Sequence, residues 1–328
     1  MDNVTECQIF LTRNCNIKCG FCKLAEKQFD AELTTKEWKN AFLTLDKIGI
    51  KTVKIMGGEP TYLDDLEEIL EFIGKNTNLK YALLSNSLIS DARLDSLVNA
   101  GLQGYFASVD VIKNADLSLD QEKKANAGFD VLLKLKAKGV KLLGANVVIT
   151  SKNLQDIPET VSVLSNNGIW VNLCPVIHDN TQKSGRDWEY RKVVDETALF
   201  KDEDIPKLKE VINKLLQLKK DGVRLAVPDS YLANMEKYGV NCSWQCTRFS
   251  QLRIDADGAL MLCNDIRGDV SKKYNIRTLT SDGYAEFKRA WTQERNAINC
   301  SGCYWSCFYF AEENLRCGRH EFYYSEGV

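Results

Sequence analysis

Short apolar runs alternate with longer segments of helical periodicity over the first two thirds of the chain. Six runs of strand-forming residues predict β-strands over residues 7–12, 52–56, 81–85, 104–109, 140–150 and 170–177. Five intervening segments carry apolar residues three and four positions apart and predict helices over residues 34–48, 65–75, 91–100, 121–138 and 154–166. This alternation indicates an α/β fold with a largely parallel sheet.

The pattern changes in the last third of the chain. After a charged stretch, a helix over residues 206–220 and a short strand over 223–227 are predicted to complete the first unit. Residues 251–263 then predict a hairpin of two short strands around the turn signal Asp255-Ala256-Asp257-Gly258. A helix over residues 284–295 precedes a cysteine-rich tail. We therefore predict two domains, residues 1–235 and 236–328.

Composition and charge narrow the class of protein. The chain has 328 residues, and 43 Lys and Arg against 45 Asp and Glu give a formal net charge of -2, which disfavours nucleic acid and anionic membranes as partners. It lacks a secretory signal pattern and any apolar run near the roughly 20 residues of a membrane span, so we expect a cytoplasmic protein. Twelve cysteines in such a compartment indicate metal or redox chemistry rather than disulfides.

Three of these cysteines follow the first predicted strand. Cys15, Cys19 and Cys22 have the spacing C-x3-C-x2-C, and Gly20 helps the backbone fold around a shared centre. A fully ligated 4Fe-4S cluster takes four cysteines, so three leave one iron open. The alternative is a zinc site, but zinc gathers four ligands and this loop has no nearby fourth Cys or His.

The cysteine loop resembles that of the radical S-adenosylmethionine (SAM) superfamily, in which an aromatic residue, here Phe21, precedes the last cysteine. The resemblance implies that Cys15, Cys19 and Cys22 hold a 4Fe-4S cluster whose open iron is chelated by SAM, and that Phe21 shields both. It also implies a partial (β/α)6 TIM-like barrel followed by a small C-terminal α+β cysteine-rich cluster-binding domain.

A second motif ends the second predicted strand. Met56-Gly57-Gly58-Glu59-Pro60 is similar to the GGEP element of the same superfamily, which implies that Gly57, Gly58, Glu59 and Pro60 bind the SAM ammonium group. The two glycines would let backbone carbonyls approach a ligand, and Pro60 would stop the strand.

Further polar residues fall at or near the carboxyl ends of predicted strands, where barrels place their sites. The resemblance implies contacts to SAM or substrate for four of them: Ser85, Asn86, Ser108 and Asn146. Asp110 is a catalytic candidate or a helix cap. His178 is a candidate base or a surface residue, and Cys174 is a candidate hydrogen-atom donor or a core thiol.

Seven cysteines lie in the last quarter of the chain: Cys242, Cys246, Cys263, Cys300, Cys303, Cys307 and Cys317. Their pattern resembles the Twitch and SPASM auxiliary-cluster domains of radical SAM enzymes. A Twitch domain would use Cys246, Cys263, Cys300 and Cys303 for one 4Fe-4S cluster. A SPASM-like domain would form two sets, one of Cys242, Cys246, Cys263 and Cys307 and the other of Cys300, Cys303 and Cys317. A zinc ribbon is the other possibility for the C-x2-C pair, and these assignments stay open.

The resemblance implies reductive cleavage of SAM to a 5'-deoxyadenosyl radical that abstracts hydrogen from a substrate C-H bond. We expect an oxidoreductase that modifies a ribosomally made peptide by crosslinking, epimerisation or oxidation. The alternative is dehydrogenation or another radical modification of a small molecule such as an aminocyclitol, and a more remote one is a non-catalytic iron-sulfur electron carrier. A flavodoxin- or ferredoxin-type electron donor and a separate peptide-recognition protein are the expected partners.

Overall fold

The computed structural model describes residues 4–22, 24–26, 31–112, 119–176, 198–238, 244–298, 300, 302–303 and 305–317. The described strands form one seven-stranded sheet: β1 (Glu6–Phe10), β2 (Thr52–Met56), β3 (Lys80–Ser85), β4 (Gly104–Ser108), β5 (Leu142–Ile149), β6 (Trp170–Pro175) and β7 (Leu252–Ile254). Their order is β6-β5-β4-β3-β2-β1-β7, and every neighbouring pair is parallel. The sheet curls into a partial TIM-like barrel, which confirms the predicted fold class.

Helices follow most of the strands. The first five are α1 (Thr35–Lys47), α2 (Leu66–Asn76), α3 (Asp91–Asn99), α4 (Leu119–Ala137) and α5 (Ile157–Asn166). They are followed by α6 (Ile205–Lys220), α7 (Asp229–Tyr238), α8 (Val270–Lys273), α9 (Ser281–Ala297) and α10 (Ser306–Arg316). None of the described helices is long and apolar enough to cross a bilayer.

Local sequence explains how these helices begin and which side they bury. At α1, for example, the Thr34 hydroxyl caps the Glu37 amide while the Glu37 carboxylate accepts from the Thr34 amide, a reciprocal capping box. The helix then buries Trp38, Phe42 and Leu45 at a spacing of three to four residues. Such apolar stripes cover the convex face of the sheet, so the strand residues of alternate parity are left to line the concave face.

The concave face is layered. Gln8, Lys54, Asn146 and Asn172 line a lower cavity together with Leu84 and Phe106, so this layer mixes polar and apolar side chains. Helix α10 covers it with Cys307 and Phe310. Two residues further along their strands, an upper layer lines a second, largely apolar cavity. The upper cavity lies at the carboxyl ends of the strands, where parallel barrels hold their active sites.

Two predicted strands differ from the structure. Residues 223–227 do not form a strand, because only Leu225 bridges β6, at Val171, before Pro228 begins the turn into α7. In the predicted hairpin only the first half is a strand, β7, and its return is a single bridge from Ile254 to Leu260. β7 instead pairs in parallel with β1, so the barrel sheet takes an edge strand from residues within 236–328.

Candidate active site

The three-cysteine loop lies at the carboxyl end of β1. Cys15 and Cys19 are half-buried, Cys22 is exposed, and the Cys22 amide donates to the Cys19 carbonyl at 3.0 Å. Burial raises the pKa of the Cys15 thiol, so this thiol stays protonated until a cation binds it. None of the three cysteines forms a disulfide, and they lie on one loop beside the upper cavity, which Cys22 lines.

The GGEP segment at the end of β2 forms backbone hydrogen bonds with the start of this cysteine loop. The Gly58 amide donates to the Thr12 carbonyl and the Glu59 amide to the Asn14 carbonyl, both at 2.7 Å. A Cβ atom on Gly57 would lie 2.2 Å from the Thr12 oxygen, and one on Gly58 would lie 2.1 Å from the Asn14 oxygen. The glycines therefore let two backbone segments approach each other, and the predicted contact of these glycines with SAM stays a prediction.

Glu59 is buried, with 1% of its surface exposed. Its carboxylate accepts hydrogen bonds from the Asn86 amide at 2.6 Å, the Thr61 amide at 3.1 Å and the Thr61 hydroxyl at 2.7 Å. Burial raises the pKa of this carboxyl, and these donors oppose the rise. Glu59 thus joins the end of β2 to the end of β3, and Pro60 begins the short 3-10 helix (Pro60–Tyr62) that leads from β2 towards α2.

The polar residues at the strand ends separate into two groups. Asn86 donates to Asn16 Oδ1 in the cysteine loop at 2.7 Å, and the Ser85 hydroxyl accepts from the Ser87 amide at 2.9 Å. The Asn86 amide and the Ser85 hydroxyl also hydrogen-bond to the Glu59 carboxylate, so both residues belong to the network around Glu59. Ser108 is half-buried at the end of β4. Asn146 lines the lower cavity, where its Oδ1 accepts from Asn172 at 3.0 Å.

The three catalytic candidates have different surroundings. Cys174 lines the upper cavity at the end of β6, opposite the cysteine loop. Asp110 is buried, its Oδ1 accepts from the Val148 amide at 3.1 Å, and its carbonyl accepts from Asn153 at 2.8 Å, so it joins β4 to β5. His178 lies outside the described residues.

The upper cavity has a volume of about 200 Å³. Apolar and aromatic side chains make up most of its wall: Phe10, Phe21, Leu24, Met56, Val148, Pro175, Val176 and Trp305. Asn264 and Trp305 come from the cysteine-rich region, so the two regions of the chain share this wall. Sequence reasoning did not assign either residue to the site, although the position of Trp305 two residues after Cys303 was a usable signal.

Four of the distal cysteines surround another cavity. Cys246, Cys263, Cys300 and Cys303 line it together. Backbone amides of Asp265 and Ile266 donate to Cys263 Sγ at 3.4 and 3.2 Å. Amide donors of this kind, together with the nearby guanidinium of Arg295, are suitable surroundings for thiolates that hold an iron-sulfur cluster. The arrangement is that of the four-cysteine, Twitch-like assignment.

Arg295 supplies that cation. Its guanidinium donates to Cys246 Sγ at 3.3 Å, and the residue is 8% exposed. Burial raises the pKa of the Cys246 and Cys263 thiols, so their ionisation depends on a bound metal and on this positive charge. Within the described ranges no three Cys, His, Asp or Glu side chains come close enough to share a single metal ion.

The remaining distal cysteines lie elsewhere. Cys307 lines the lower cavity, where Arg253 donates to its sulfur at 3.3 Å. Cys317 is exposed at the end of α10. Cys242 lies outside the described residues. The structure therefore does not bring Cys307 or Cys317 to the cavity of the other four.

A buried ion pair that the sequence did not reveal joins the two cysteine regions. The Arg13 Nε donates to Asp255 Oδ1 at 3.0 Å, and Arg267 NH1 donates to Asp255 Oδ2 at 2.6 Å. Arg13 is 2% exposed and Asp255 is fully buried. Glu32 adds a second brace, accepting from the Thr12 hydroxyl and the Arg13 amide at 2.7 Å each. These contacts fix the loop before Cys15 against the turn after β7.

Comparison with known proteins agrees with this geometry. Residues 9–164 match the family model described as radical SAM superfamily. The chain is 27% identical over 308 residues to the GTP 3',8-cyclase of Aquifex aeolicus, an alignment that covers 88% of this chain and 93% of that protein. It is 24% identical over 295 residues to molybdenum cofactor biosynthesis protein 1 of Dictyostelium discoideum, covering 85% of this chain but 45% of that protein.

Solved structures show the same fold. Streptococcus suis SuiB bound to precursor peptide SuiA has a TM-score of 0.64 at 16% identity, covering 90% of this chain and 67% of that one. The protein anSMEcpe with bound AdoMet has a TM-score of 0.59 at 16% identity, covering 95% of this chain and 96% of that one.

Proposed function

The chain is a radical SAM enzyme, and on that premise we propose that it abstracts a hydrogen atom from a C-H bond of a ribosomally made peptide and leaves that peptide oxidised. When bound, SAM and its 4Fe-4S cluster supply the 5'-deoxyadenosyl radical that takes the hydrogen. Cys15, Cys19 and Cys22 would hold that cluster, and the Glu59 network would hold their loop in place.

The choice of a peptide as substrate is based on the side chains that line the upper cavity. Its described lining contains no lysine and no arginine, and most of it is apolar. A nucleoside triphosphate brings several negative charges, which proteins bind with cations and clusters of donors. An apolar or aromatic peptide side chain needs neither, and it would bury its surface against Phe21, Met56 and Trp305. The wall therefore favours a peptide side chain.

The position of the cavity supports an oxidation. Trp305 lines both the upper cavity and the cavity of the four distal cysteines. Its indole donates to Asp265 Oδ2 at 2.7 Å, which fixes the ring between the two spaces. A peptide in the upper cavity would thus lie between the loop of Cys22 and the auxiliary site. The likeness to the fold of SuiB, solved with a precursor peptide, supports the same substrate class.

A second candidate is a radical reaction on a nucleotide. The alignment with the Aquifex GTP 3',8-cyclase favours it, because that alignment spans nearly the whole of both proteins. If the substrate is a nucleotide, its triphosphate would have to be bound by cations outside the described lining of the upper cavity.

One experiment, with the two substrates in separate reactions, distinguishes the peptide from the nucleotide reaction. The enzyme is reconstituted anaerobically with iron and sulfide and given SAM, dithionite and either GTP or a deuterated synthetic peptide from a short reading frame beside its gene. We expect deuterium in 5'-deoxyadenosine and a peptide product lighter by the hydrogens removed. A variant with Cys15, Cys19 and Cys22 changed to Ala should form no 5'-deoxyadenosine. Consumption of GTP with an unchanged peptide would favour the nucleotide reaction instead.

A further inference from the structure

The lower cavity lies inside the barrel, beneath the upper cavity. Its volume is about 50 Å³, which gives room for a few water-sized groups. Four strands contribute one residue to each cavity, two positions apart: Gln8 and Phe10, Lys54 and Met56, Asn146 and Val148, and Asn172 and Cys174. Two strand residues span about 7 Å, so the two cavities are separated by about the length of an aromatic side chain.

Two buried oxygen atoms at the lower cavity have no hydrogen-bond partner among the described residues. They are Gln8 Oε1 and Asn172 Oδ1, and Gln8 is 5% exposed. The orientation of the Asn172 amide is fixed, because its nitrogen donates to Asn146 Oδ1 at 3.0 Å and to Ser306 Oγ at 3.3 Å. Its oxygen is therefore an acceptor without a donor. Since such a buried acceptor costs free energy, these two oxygens favour a ligand that brings a hydrogen.

A buried guanidinium lies at the edge of the same cavity. Arg253 on β7 is in register with Gln8 on β1, so both side chains lie on the concave face of the sheet. Arg253 is 1% exposed, its guanidinium stacks on the ring of Phe308, and its NH2 donates to Gln251 Oε1 at 2.6 Å and to Cys307 Sγ at 3.3 Å. Its Nε and NH1 have no partner in the described part of the chain. A ligand that also accepts a hydrogen bond would satisfy such a donor.

The two cavities approach each other at Asn264 and Cys307. Asn264 lines the upper cavity and is 3% exposed, and its Nδ2 donates to Cys307 Sγ at 3.7 Å. Cys307 in turn lines the lower cavity. The wall of the upper cavity is mostly apolar and aromatic, whereas unpaired polar atoms border the lower one. This arrangement suits a side chain with an apolar ring and a polar tip.

We propose that the lower cavity binds the phenol hydroxyl of a tyrosine in the substrate peptide, while the ring of that tyrosine fills the upper cavity. This inference rests on the proposed function and names the type of residue that the enzyme acts on. The hydroxyl has one hydrogen to donate to Asn172 Oδ1 or Gln8 Oε1, and its lone pairs accept from Arg253. A phenylalanine would leave all of these atoms unpaired.

Other polar side chains match the two cavities less well. A carboxylate brings no hydrogen to the two unpaired oxygens, and a basic side chain would approach Arg253 and the ammonium group of Lys54, which already pairs with Glu6 at 3.6 Å. The indole of tryptophan donates a hydrogen bond but accepts none. A carboxamide matches the polar atoms of the lower cavity, but its short stem leaves the aromatic wall of the upper cavity uncovered.

The test measures the binding of three capped amino acids to the anaerobic holoenzyme with SAM. The probes are N-acetyl-L-tyrosinamide, N-acetyl-L-phenylalaninamide and N-acetyl-L-glutaminamide, and calorimetry gives their dissociation constants. We expect the tyrosine probe to bind at least about tenfold more tightly than the phenylalanine probe, which leaves buried polar atoms unpaired. It should also bind more tightly than the glutamine probe, which covers less of the apolar wall.

Two variants test the acceptor in the lower cavity. Asn172→Leu removes the unpaired oxygen, so the affinity for the tyrosine probe should fall about tenfold while the phenylalanine probe binds at least as well as before. The control Asn213→Leu makes the same change at an exposed position of α6 and should keep the preference for tyrosine. Iron content and the iron-sulfur absorption spectrum check that both variants are folded and loaded.

The unaltered enzyme alone can overturn this inference, so the test does not depend on the folding of a variant. Equal binding of the tyrosine and phenylalanine probes, tighter binding of the glutamine probe, or binding of none of the three would each show that the lower cavity is not a phenol site. Failure of the proposed function would appear in a different measurement. In that case the preference for the tyrosine probe would persist, but no deuterated peptide, with or without tyrosine, would transfer deuterium to 5'-deoxyadenosine with dithionite as reductant.

Discussion

At the scale of single residues, Gly58 decides how closely the cysteine loop approaches the end of β2. Its amide holds the Thr12 carbonyl at 2.7 Å, and no side chain would fit between its Cα and the Asn14 carbonyl. Glu59 then fixes the same segment from inside the protein, through Thr61 and Asn86. The motif therefore acts on the cluster site through the backbone of the loop.

We predict that Gly58→Ala displaces the cysteine loop. The new Cβ would lie 2.1 Å from the Asn14 oxygen and 2.6 Å from the Arg13 oxygen, and backbone atoms cannot rotate out of the way. SAM cleavage should fall by about tenfold to a hundredfold, because a shift of this size moves the reacting groups out of line. The measurement is 5'-deoxyadenosine formed per chain, together with bound iron.

Gly74→Ala is the matched control for that substitution. Gly74 lies inside α2, and a Cβ atom there would meet nothing within 4 Å. The change should leave SAM cleavage intact and stabilise the helix by up to about 1 kcal/mol. Similar losses in the two variants would contradict the role assigned to Gly58.

At the scale of elements, the turn after β7 is joined to the loop after β1. The Asp255 carboxylate receives the guanidinium groups of Arg13 and Arg267, and the surroundings of the Arg13–Asp255 pair exclude water. Arg13 lies two residues before Cys15, and Arg267 lies four residues after Cys263. One buried carboxylate therefore links the two segments that lead to the two cysteine sites.

We expect Asp255→Asn to destabilise the folded protein by about 3–5 kcal/mol, because it leaves a buried guanidinium without its counter-charge. Denaturant unfolding of the reconstituted protein measures the loss. The control is Glu71→Gln, which removes one partner of the exposed pair Lys75–Glu71 on α2 and should have no measurable effect. An Asp255→Asn protein as stable as the control would show that water or another group compensates Arg13.

This ion pair also shows what the sequence could and could not predict. Periodicity located six strands and their helices to within a few residues, since those signals are local. β7 was predicted as a strand, but its partner could not be, because its three residues pair with β1 about 240 positions away. In the same way the short spacing of Cys15, Cys19 and Cys22 revealed one site, while Arg13 and Asp255, 242 positions apart, gave no local signal.

At the scale of the whole molecule, the upper cavity lies between the two cysteine sites. Cys22 lines it on one side, and Trp305 separates it from the cavity of Cys246, Cys263, Cys300 and Cys303 on the other. A substrate in the upper cavity would thus lie beside a site that could accept the electron that its oxidation releases.

The number of clusters follows from this arrangement and can be counted. With one cluster at each site, the enzyme should bind about eight irons per chain, and a variant with Cys15, Cys19 and Cys22 changed to Ala should keep about four. Adding Cys300→Ser to that variant should abolish the remainder, since Cys300 lines the auxiliary cavity. Adding Cys317→Ser instead should leave about four, since Cys317 is exposed at the end of α10. A triple variant that kept about eight irons would instead require a second auxiliary cluster, built with cysteines outside that cavity.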